Sequence, residues 1–506
     1  MLLSLLIAAL PQGTDLAEIE RTLKAAVDRA GFEDGAFQAA RTLASIPGEE
    51  AMELRLRMFD LRMETYRGVF LRDWFYSGMQ TATTTGEAEM LMDTARSSSS
   101  SDLLKLLSLR ALRHSSAPLP HKALFSKSLV SAPGPLGREW QALLGEAHAA
   151  QRIQFPSLAP GQMDEKVRNS LMTSGPPWAG HAFLPALTSL EEKKLKDSAL
   201  KEKDTGDRSQ AIRTLALHPE SRGTWMEAAL AALASPRWGP RTATLESARE
   251  AGMHEAIPLI IEALAAQDEG GRWPGDLADA LHGLTGNQFG PDPVLWSRWW
   301  KEQGATFIEK VRDSKGEANT AKKADRNASA SFFGIPVDSN SLVILVDGSG
   351  SMKMDKLGDR SCAEAAIDEI GLLLEKLPPR TFVNLALIST RPLPAFKKSK
   401  RNGAQTKKQA VAFLRKSDFR GTSSLVDVLL WAQNLEGVDT ILLVSDGGSS
   451  SGLHQYSEHM LETLLAEHDR TGVRIHGICV GPDDRKAAFM RKLAESTGGR
   501  VVRPSG

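Results

Sequence analysis

Oxygen-bearing side chains cluster in three short segments near the end of the sequence. Asp347–Ser351 (Asp-Gly-Ser-Gly-Ser) offers a carboxylate and two hydroxyls, with glycines between them that let the backbone fold tightly. Thr422 follows a glycine, and Asp446 follows an apolar run. Carboxylate and hydroxyl oxygens are hard ligands of the kind that Mg²⁺ prefers. We therefore predict a divalent-cation site formed by Asp347, Ser349, Ser351, Thr422 and Asp446.

Two other patterns in this part of the sequence suggest different chemistry. Gly448–Gly452 satisfies G-x-S-x-G, the nucleophile motif of α/β hydrolases, with Ser450 as the nucleophile, although a run of Gly and Ser makes such a match easy. His454–His459 is one residue too long for the zinc pattern H-x-x-E-H, and we interpret it as the solvated start of a helix. Serine and aspartate also cap helices and turns, which would explain any one of the three loops but not the ordered set.

The elements that must position these side chains alternate between strand and helix. Short β-branched and aliphatic runs occupy residues 341–347, 382–389, 440–446 and 473–481, and helical stretches separate them. This alternation predicts an α/β, doubly wound, Rossmann-like domain with an open parallel sheet. Such sheets bind ligands at the carboxyl ends of their strands, which is where Asp347 and Asp446 lie.

The three loops, in this order and each near a strand end, resemble the metal-ion-dependent adhesion site of the von Willebrand factor type A (VWA) family, over residues 336–506. The resemblance implies that Ser349, Ser351 and Thr422 contact the metal. Asp347 and Asp446 would bind it directly or through water. It also implies Mg²⁺, for which Mn²⁺ or Ca²⁺ can substitute, and a protein partner whose Asp or Glu completes the coordination shell.

The preceding part of the chain has helical rather than alternating periodicity. Residues 14–311 read as consecutive short helices punctuated by Gly, Pro, Asn and Ser, and those around 208–285 recur with a period of roughly 40 residues. They resemble HEAT-like repeats, so we predict an all-α helical solenoid. Residues 312–335 contain few large apolar side chains before Phe332. We predict that they form a linker to the domain at 336–506.

The first 13 residues form a short apolar run at the N-terminus. The run is too short to span a bilayer, which needs about 20 residues, and it resembles the apolar region of a signal peptide without a basic flank. A cleaved signal and a first buried helix both fit, with export to the periplasm or outside slightly favoured over a cytoplasmic location. The sequence has no other such run, so we expect no stable membrane insertion.

Overall charge and composition bear on the class of function. Lys plus Arg and Asp plus Glu both count 62, so bulk charge does not attract nucleic acid, and we expect no nucleic-acid partner. We predict a protein that is not an enzyme and acts as an adhesion or scaffold protein through the metal site. The alternatives are an accessory subunit for complex assembly or metal insertion, working with a separate ATPase because no P-loop motif occurs here, and a serine hydrolase using Ser450. The oligomeric state and the partner's identity stay open.

Overall fold

The computed structural model divides the chain into two compact units. The first unit contains the described residues up to Leu187 together with Leu453–Tyr456, and the second contains Thr188–Gly452 and Ser457–Gly506. The structure describes residues 15–28, 34–59, 68–130, 132, 134–150, 152–153, 165–173, 180–267, 270–313, 330–454, 456–480 and 483–504. The predicted signal region, residues 1–13, lies outside the described residues.

The first unit is built from helices. Their order is α1 (Leu16–Asp28), α2 (Asp34–Ser45), α3 (Glu49–Phe59), α4 (Gly68–Met79), α5 (Thr85–Arg96), α6 (Asp102–His114), α7 (His121–Leu124), α8 (Lys127–Val130), α9 (Gly134–Ala149) and α10 (Glu165–Thr173). Their apolar faces share one core, in which Trp140 is fully buried and its indole Nε1 donates to the Leu124 carbonyl at 2.8 Å. The capping residue of α5 is Thr84, whose side chain and that of Glu87 satisfy each other's backbone N–H groups.

Seven helices are described in the first part of the second unit. They are α11 (Ser189–Lys201), α12 (Thr205–Ala216), α13 (Arg222–Leu233), α14 (Trp238–Glu250), α15 (Ile257–Ala265), α16 (Arg272–Thr285) and α17 (Pro293–Asp313). Trp296 is fully buried on α17 and contacts Phe289 with ring centroids 4.8 Å apart, so the tryptophan-rich segment closes an apolar core. The resemblance of these helices to HEAT-like repeats stays a prediction.

Strands follow the helices and form a mixed main sheet and, among the described residues, the two-stranded sheets β1–β2 and β4–β5. The strands are β1 (Ala330–Phe332), β2 (Ile335–Val337), β3 (Ser341–Asp347), β4 (Lys356–Leu357), β5 (Arg360–Ser361), β6 (Phe382–Ile388), β7 (Pro392–Pro394), β8 (Lys400–Arg401), β9 (Thr440–Ser445), β10 (Arg474–Cys479) and β11 (Val501–Val502). The main sheet has the order β11-β10-β9-β3-β6-β7. Neighbouring strands from β11 to β6 are parallel, whereas β7 and β8 pair with β6 antiparallel. The chain runs from β3 to one side and later returns to β9 on the other, so a topological switch point lies between these two strands.

Among the residues that the structure describes, six helices accompany this sheet. They are α18 (Ser351–Met354), α19 (Cys362–Lys376), α20 (Ala404–Lys416), α21 (Leu425–Gln433), α22 (Ser457–Thr471) and α23 (Asp484–Ser496). Every residue of β3 is buried, as a strand covered on both faces requires. The observed architecture confirms the predicted fold class, an all-α region followed by a Rossmann-like α/β domain.

Charged contacts join the helices of the second unit to the sheet at the amino ends of its strands. Arg272 on α16 forms an ion pair with Asp276 at 2.7 Å, and its Nη1 also donates to the carbonyl oxygens of Asp439 and Gly472. Arg474, the first residue of β10, pairs with Asp276 and with Asp338, the latter at 3.1 Å. These groups are almost completely buried, so the contacts fix α16 against the sheet.

The side of the sheet domain also packs on these helices. Helices α12 and α14 both contact α22. Arg213 on α12 binds Glu246 on α14 at 2.5 Å, and His468 on α22 lies 3.6 Å from the same carboxylate. Burial opposes ionisation of Glu246, but the hydrogen bond with His468 and the charge of Arg213 lower its pKa to about 2.

Most of the segment predicted to be a linker, residues 314–329, lies outside the described residues. On either side of that gap the structure has α17, which extends to Asp313, and the hairpin β1–β2, in which Ala330 is paired with Val337. No helix among the described residues is long and apolar enough to cross a membrane.

Candidate functional site

The three polar loops identified in the sequence meet at the carboxyl ends of the central strands. Gly348 N donates to the carbonyl of Ile388, the last residue of β6, at 2.9 Å. Ser424 N donates to the Ser389 carbonyl at 2.8 Å, which holds the loop containing Thr422 beside the same strand end. Backbone bonds from the loop after β9 then connect it to Ser423. The topology therefore brings together segments that are separated by about a hundred residues in sequence.

Asp347 is the deepest side chain of the site. One carboxylate oxygen accepts from Ser349 N at 2.9 Å, and the other accepts from Ser445 Oγ at 2.8 Å. Burial raises the pKa of Asp347, the hydrogen bonds from Ser349 and Ser445 oppose that rise, and the nearby charge of Asp446 adds to it. A positive charge next to Asp347 would therefore favour its ionised form.

The hydroxyl groups lie closer to solvent than Asp347. Ser349 Oγ and Ser351 Oγ are 2.9 Å apart, and both side chains are half-buried. Thr422 is also half-buried and follows Gly421, whose φ of 120° is a conformation that suits glycine. Hydroxyl oxygens of this kind can rotate to offer lone pairs to a cation.

Asp446 is the second carboxylate of the site. Its Oδ1 accepts from Gly448 N at 2.7 Å, and its Oδ2 lies 2.8 Å from Lys486 Nζ on α23. Gly447 between them has a φ of 83°, so the loop turns sharply after the carboxylate. Sequence reasoning missed Lys486, because it lies 40 residues after Asp446 in an ordinary amphipathic helix.

A charged rim flanks the metal-site candidates on one side. Lys353, two residues after Ser351, pairs with Asp418 at 2.8 Å, and Arg420 pairs with the same carboxylate at 3.1 Å. Arg420 is 79% exposed, and Met354 at the end of α18 is 75% exposed. One carboxylate thus faces two cationic side chains beside an exposed thioether, and this set of four residues is called the rim below.

The hydroxyl of Ser450 holds two loops together. Ser450 Oγ accepts from Ser423 N at 2.8 Å, and Ser450 N donates to the Ser423 carbonyl at 2.8 Å. These contacts fasten the loop after β9 to the loop that contains Thr422. A hydrolase nucleophile requires a base within hydrogen-bond reach, and the described contacts of Ser450 involve Ser423 instead.

The interpretation of His454–His459 as a solvated helix start was wrong. His454 is 1% exposed and His459 is 6% exposed, and α22 begins only at Ser457. Within the first unit, His454 Nδ1 lies 3.2 Å from Asp73 Oδ1, and Tyr456 N donates to the other Asp73 oxygen at 3.1 Å. Asp73 precedes His454 by 381 residues, so local sequence carries no signal for this burial.

Comparison with known proteins identifies the sheet domain. The family model for the von Willebrand factor type A domain matches residues 340–502, the region that contains the main sheet and the three loops. These residues form a VWA domain, a class that generally acts in protein interaction rather than catalysis. No curated protein matches the chain.

Several solved structures are similar to this chain. A von Willebrand factor type A protein from Catenulispora acidiphila is 19% identical, with a TM-score of 0.28, over 33% of this chain and 40% of that protein. Manganese-loaded TRAP protein from Plasmodium vivax is 23% identical, with a TM-score of 0.24, over 31% of this chain and 62% of that protein. The RO (RSR) protein of Deinococcus radiodurans is 12% identical, with a TM-score of 0.22, over 98% of this chain and 92% of that protein.

Proposed function

We propose that the VWA domain holds a Mg²⁺ ion and binds a protein partner through it, with an Asp or Glu of the partner completing the coordination. The metal ligands in this proposal are Asp347, Ser349, Ser351, Thr422 and Asp446. The observation that carries it is the convergence of three oxygen-bearing loops at the carboxyl ends of β3, β6 and β9, beside the switch point of the sheet.

The chemistry of these side chains suits a hard divalent cation. Two carboxylates and three hydroxyls offer only oxygen ligands, and Mn²⁺ or Ca²⁺ would accept them as well as Mg²⁺. Together the five side chains carry at most two negative charges, so a bound ion would keep its attraction for a further carboxylate. The half-buried hydroxyls Ser349 and Ser351 support access of that carboxylate from solvent.

The rim supports an acidic partner. Lys353 and Arg420 share the single carboxylate of Asp418, so the rim carries one more positive than negative charge. Such an excess raises the rate at which acidic groups encounter the site. Met354 adds an exposed, adaptable apolar contact beside these charges. We therefore assign the protein to the adhesion or scaffold class, with the VWA domain as its point of contact.

Metal binding is tested first, on the full chain. We expect Mg²⁺ at about 100 times its dissociation constant to stabilise the wild-type protein by about 2.7 kcal/mol. Asp347→Ala should abolish this stabilisation, whereas Asp368→Ala, a half-exposed carboxylate on α19, should retain it. Urea unfolding with and without Mg²⁺ or Mn²⁺ measures both effects. Equal responses in the two variants would reject the assignment of the site.

Partner binding is tested with defined peptides. A peptide library with a fixed central Glu, and a matched library with Gln at that position, would be applied to the immobilised full chain with Mg²⁺ or with chelator. We expect binding to require both Glu and Mg²⁺ and to be lost in Asp446→Ala. Arg420→Ala should slow association and reduce its salt dependence while leaving Mg²⁺ affinity unchanged. Peptide binding that is unchanged by the chelator would contradict the proposal.

A further inference from the structure

Lys486 binds Asp446, a carboxylate that is also one of the proposed metal ligands. Its ammonium lies 2.8 Å from Asp446 Oδ2, while Asp446 Oδ1 accepts from Gly448 N at 2.7 Å. Both oxygens of one proposed ligand are therefore engaged within the protein. Lys486 is 39% exposed, so its side chain is partly accessible to solvent.

The loop after β9 is shaped around this lysine. A Cβ atom added to Gly447 would lie 2.8 Å from the Lys486 carbonyl, and one added to Gly448 would lie 2.7 Å from Nζ. The start of α23 is itself fixed, because the capping residue Asp483 accepts from Arg485 N at 2.8 Å and from Lys486 N at 3.4 Å. The two glycines thus permit close approach of loop, helix and ammonium.

Charge decides what this arrangement does. Asp347 and Asp446 repel each other, and the ammonium of Lys486 offsets part of that repulsion. A divalent cation bound at Asp446 would be repelled by the same ammonium. Lysine carries a compact charge on a flexible stem, and its partial exposure gives the head group a path into solvent.

We propose that Lys486 is a tethered cation that competes with the divalent metal for Asp446, stabilising the site when no metal is bound and lowering its metal affinity. This inference rests on the proposed function and adds a regulatory element to it. Metal entry then requires the ammonium to leave Asp446, so the site fills only at a higher metal concentration than it would without the lysine. A change of about tenfold in affinity is typical of coupling between two such binding events.

The test is calorimetric titration of Mg²⁺ and Mn²⁺ into four full-length proteins. Lys486→Met removes the charge but keeps most of the length of the side chain, and we expect it to raise the affinity for both ions about tenfold. Lys486→Arg keeps the charge and should bind them as weakly as the wild type. Lys492→Met, an exposed position on the same helix, serves as the matched control and should leave the affinity unchanged.

A second variant and a second readout keep the outcomes distinct. Gly448→Ala adds a methyl group 2.7 Å from Nζ, too close for the ammonium to stay in place, so it should displace the ammonium and also raise metal affinity. The melting temperature of metal-free Lys486→Met should fall slightly, because the two carboxylates lose their cation. Unchanged or weaker metal binding in Lys486→Met would overturn the role of Lys486 while the metal site stands. Absence of binding in all the proteins would instead reject the proposed function.

Discussion

Two carboxylates at the amino ends of the parallel strands and two at the carboxyl ends have different charged partners. At the amino ends of the strands, Asp276 and Asp338 pair with the guanidinium groups of Arg272 and Arg474. At the carboxyl ends, Asp347 receives hydrogen bonds from neutral donors, and Asp446 meets one half-exposed ammonium. The first arrangement uses rigid, planar cations that match carboxylates at several atoms, whereas the second uses groups that rotate or withdraw.

This difference indicates which end of the sheet is structural. Arg272 also donates to two backbone carbonyls, so its removal would leave several acceptors without their donor. Hydroxyl groups such as Ser349 can exchange a protein partner for a cation without leaving a buried charge uncompensated. The amino ends of the strands therefore hold the helices in place, and the carboxyl ends are where we propose that the ligand binds.

The largest effect is expected from breaking the ion pairs at the amino ends. Arg474→Met would leave Asp276 and Asp338 buried without one of their cations, and we expect it to lower the free energy of unfolding by about 3–5 kcal/mol. Urea unfolding of the full chain measures the change. Arg485→Met, at a side chain that is 95% exposed, should change stability by less than about 0.5 kcal/mol. A small effect at Arg474 would remove the distinction between the two ends.

An intermediate effect is expected where α14 meets the sheet domain. Because the pKa of Glu246 is lowered to about 2, its carboxylate stabilises the folded state above its unfolded-state pKa of 4.5, and this contribution is lost as pH falls toward 2. Glu246→Gln should therefore cost about 2 kcal/mol at neutral pH, after allowance for its partial exposure. The difference in unfolding free energy between the wild type and Glu246→Gln, measured by urea unfolding, should become smaller below pH 4.5. If the difference in unfolding free energy between the two proteins does not change with pH down to the acid transition, packing rather than charge accounts for the lower stability of Glu246→Gln.

The smallest change in stability is expected at the carboxyl ends. The pKa of Asp347 is raised, so the folded state binds its proton more tightly, and ionisation of Asp347 lowers stability as pH rises above the ordinary aspartate value toward the raised pKa. With chelator at neutral pH, Asp347→Asn should match the wild type or exceed it by up to about 1 kcal/mol.

Saturating Mg²⁺ should reverse the order of Asp347→Asn and the wild type, because only the carboxylate gains from the ion. Thermal unfolding with chelator and with Mg²⁺ measures both states. A strongly destabilised Asp347→Asn protein in chelator would place this residue with Arg474 as a structural element.

Local sequence predicted much of the fold because the signals are themselves local. The runs at 341–347, 382–389, 440–446 and 473–481 agree with β3, β6, β9 and β10 to within two residues at each end, since buried parallel strands require continuous apolar side chains. The edge strand β7 was missed because its two prolines disfavour a strand, and edge positions tolerate them. The mixed character of the sheet follows from this edge.

Long-range contacts account for what the sequence did not predict at the site. The order of Asp347, Thr422 and Asp446 along the chain indicated that they would meet, because parallel strands bring their carboxyl ends to one edge. Lys486 carried no such signal, since a lysine in the first turn of a helix normally faces solvent. The prediction for His454 was wrong because its polar neighbours in sequence suggested exposure. Its buried partner, Asp73, is distant in sequence.

The assignment of Leu453–Tyr456 to the first unit affects how the protein can be divided. The chain passes between the two compact units at residues 187–188, again at 452–453 and back at 456–457. A fragment that begins at residue 188 would keep His454 and Tyr456 but lose Asp73, which binds both. The two units are therefore not separable by a single cut. A truncated VWA domain would keep His454 without Asp73, only eight residues after Asp446 in the proposed metal site.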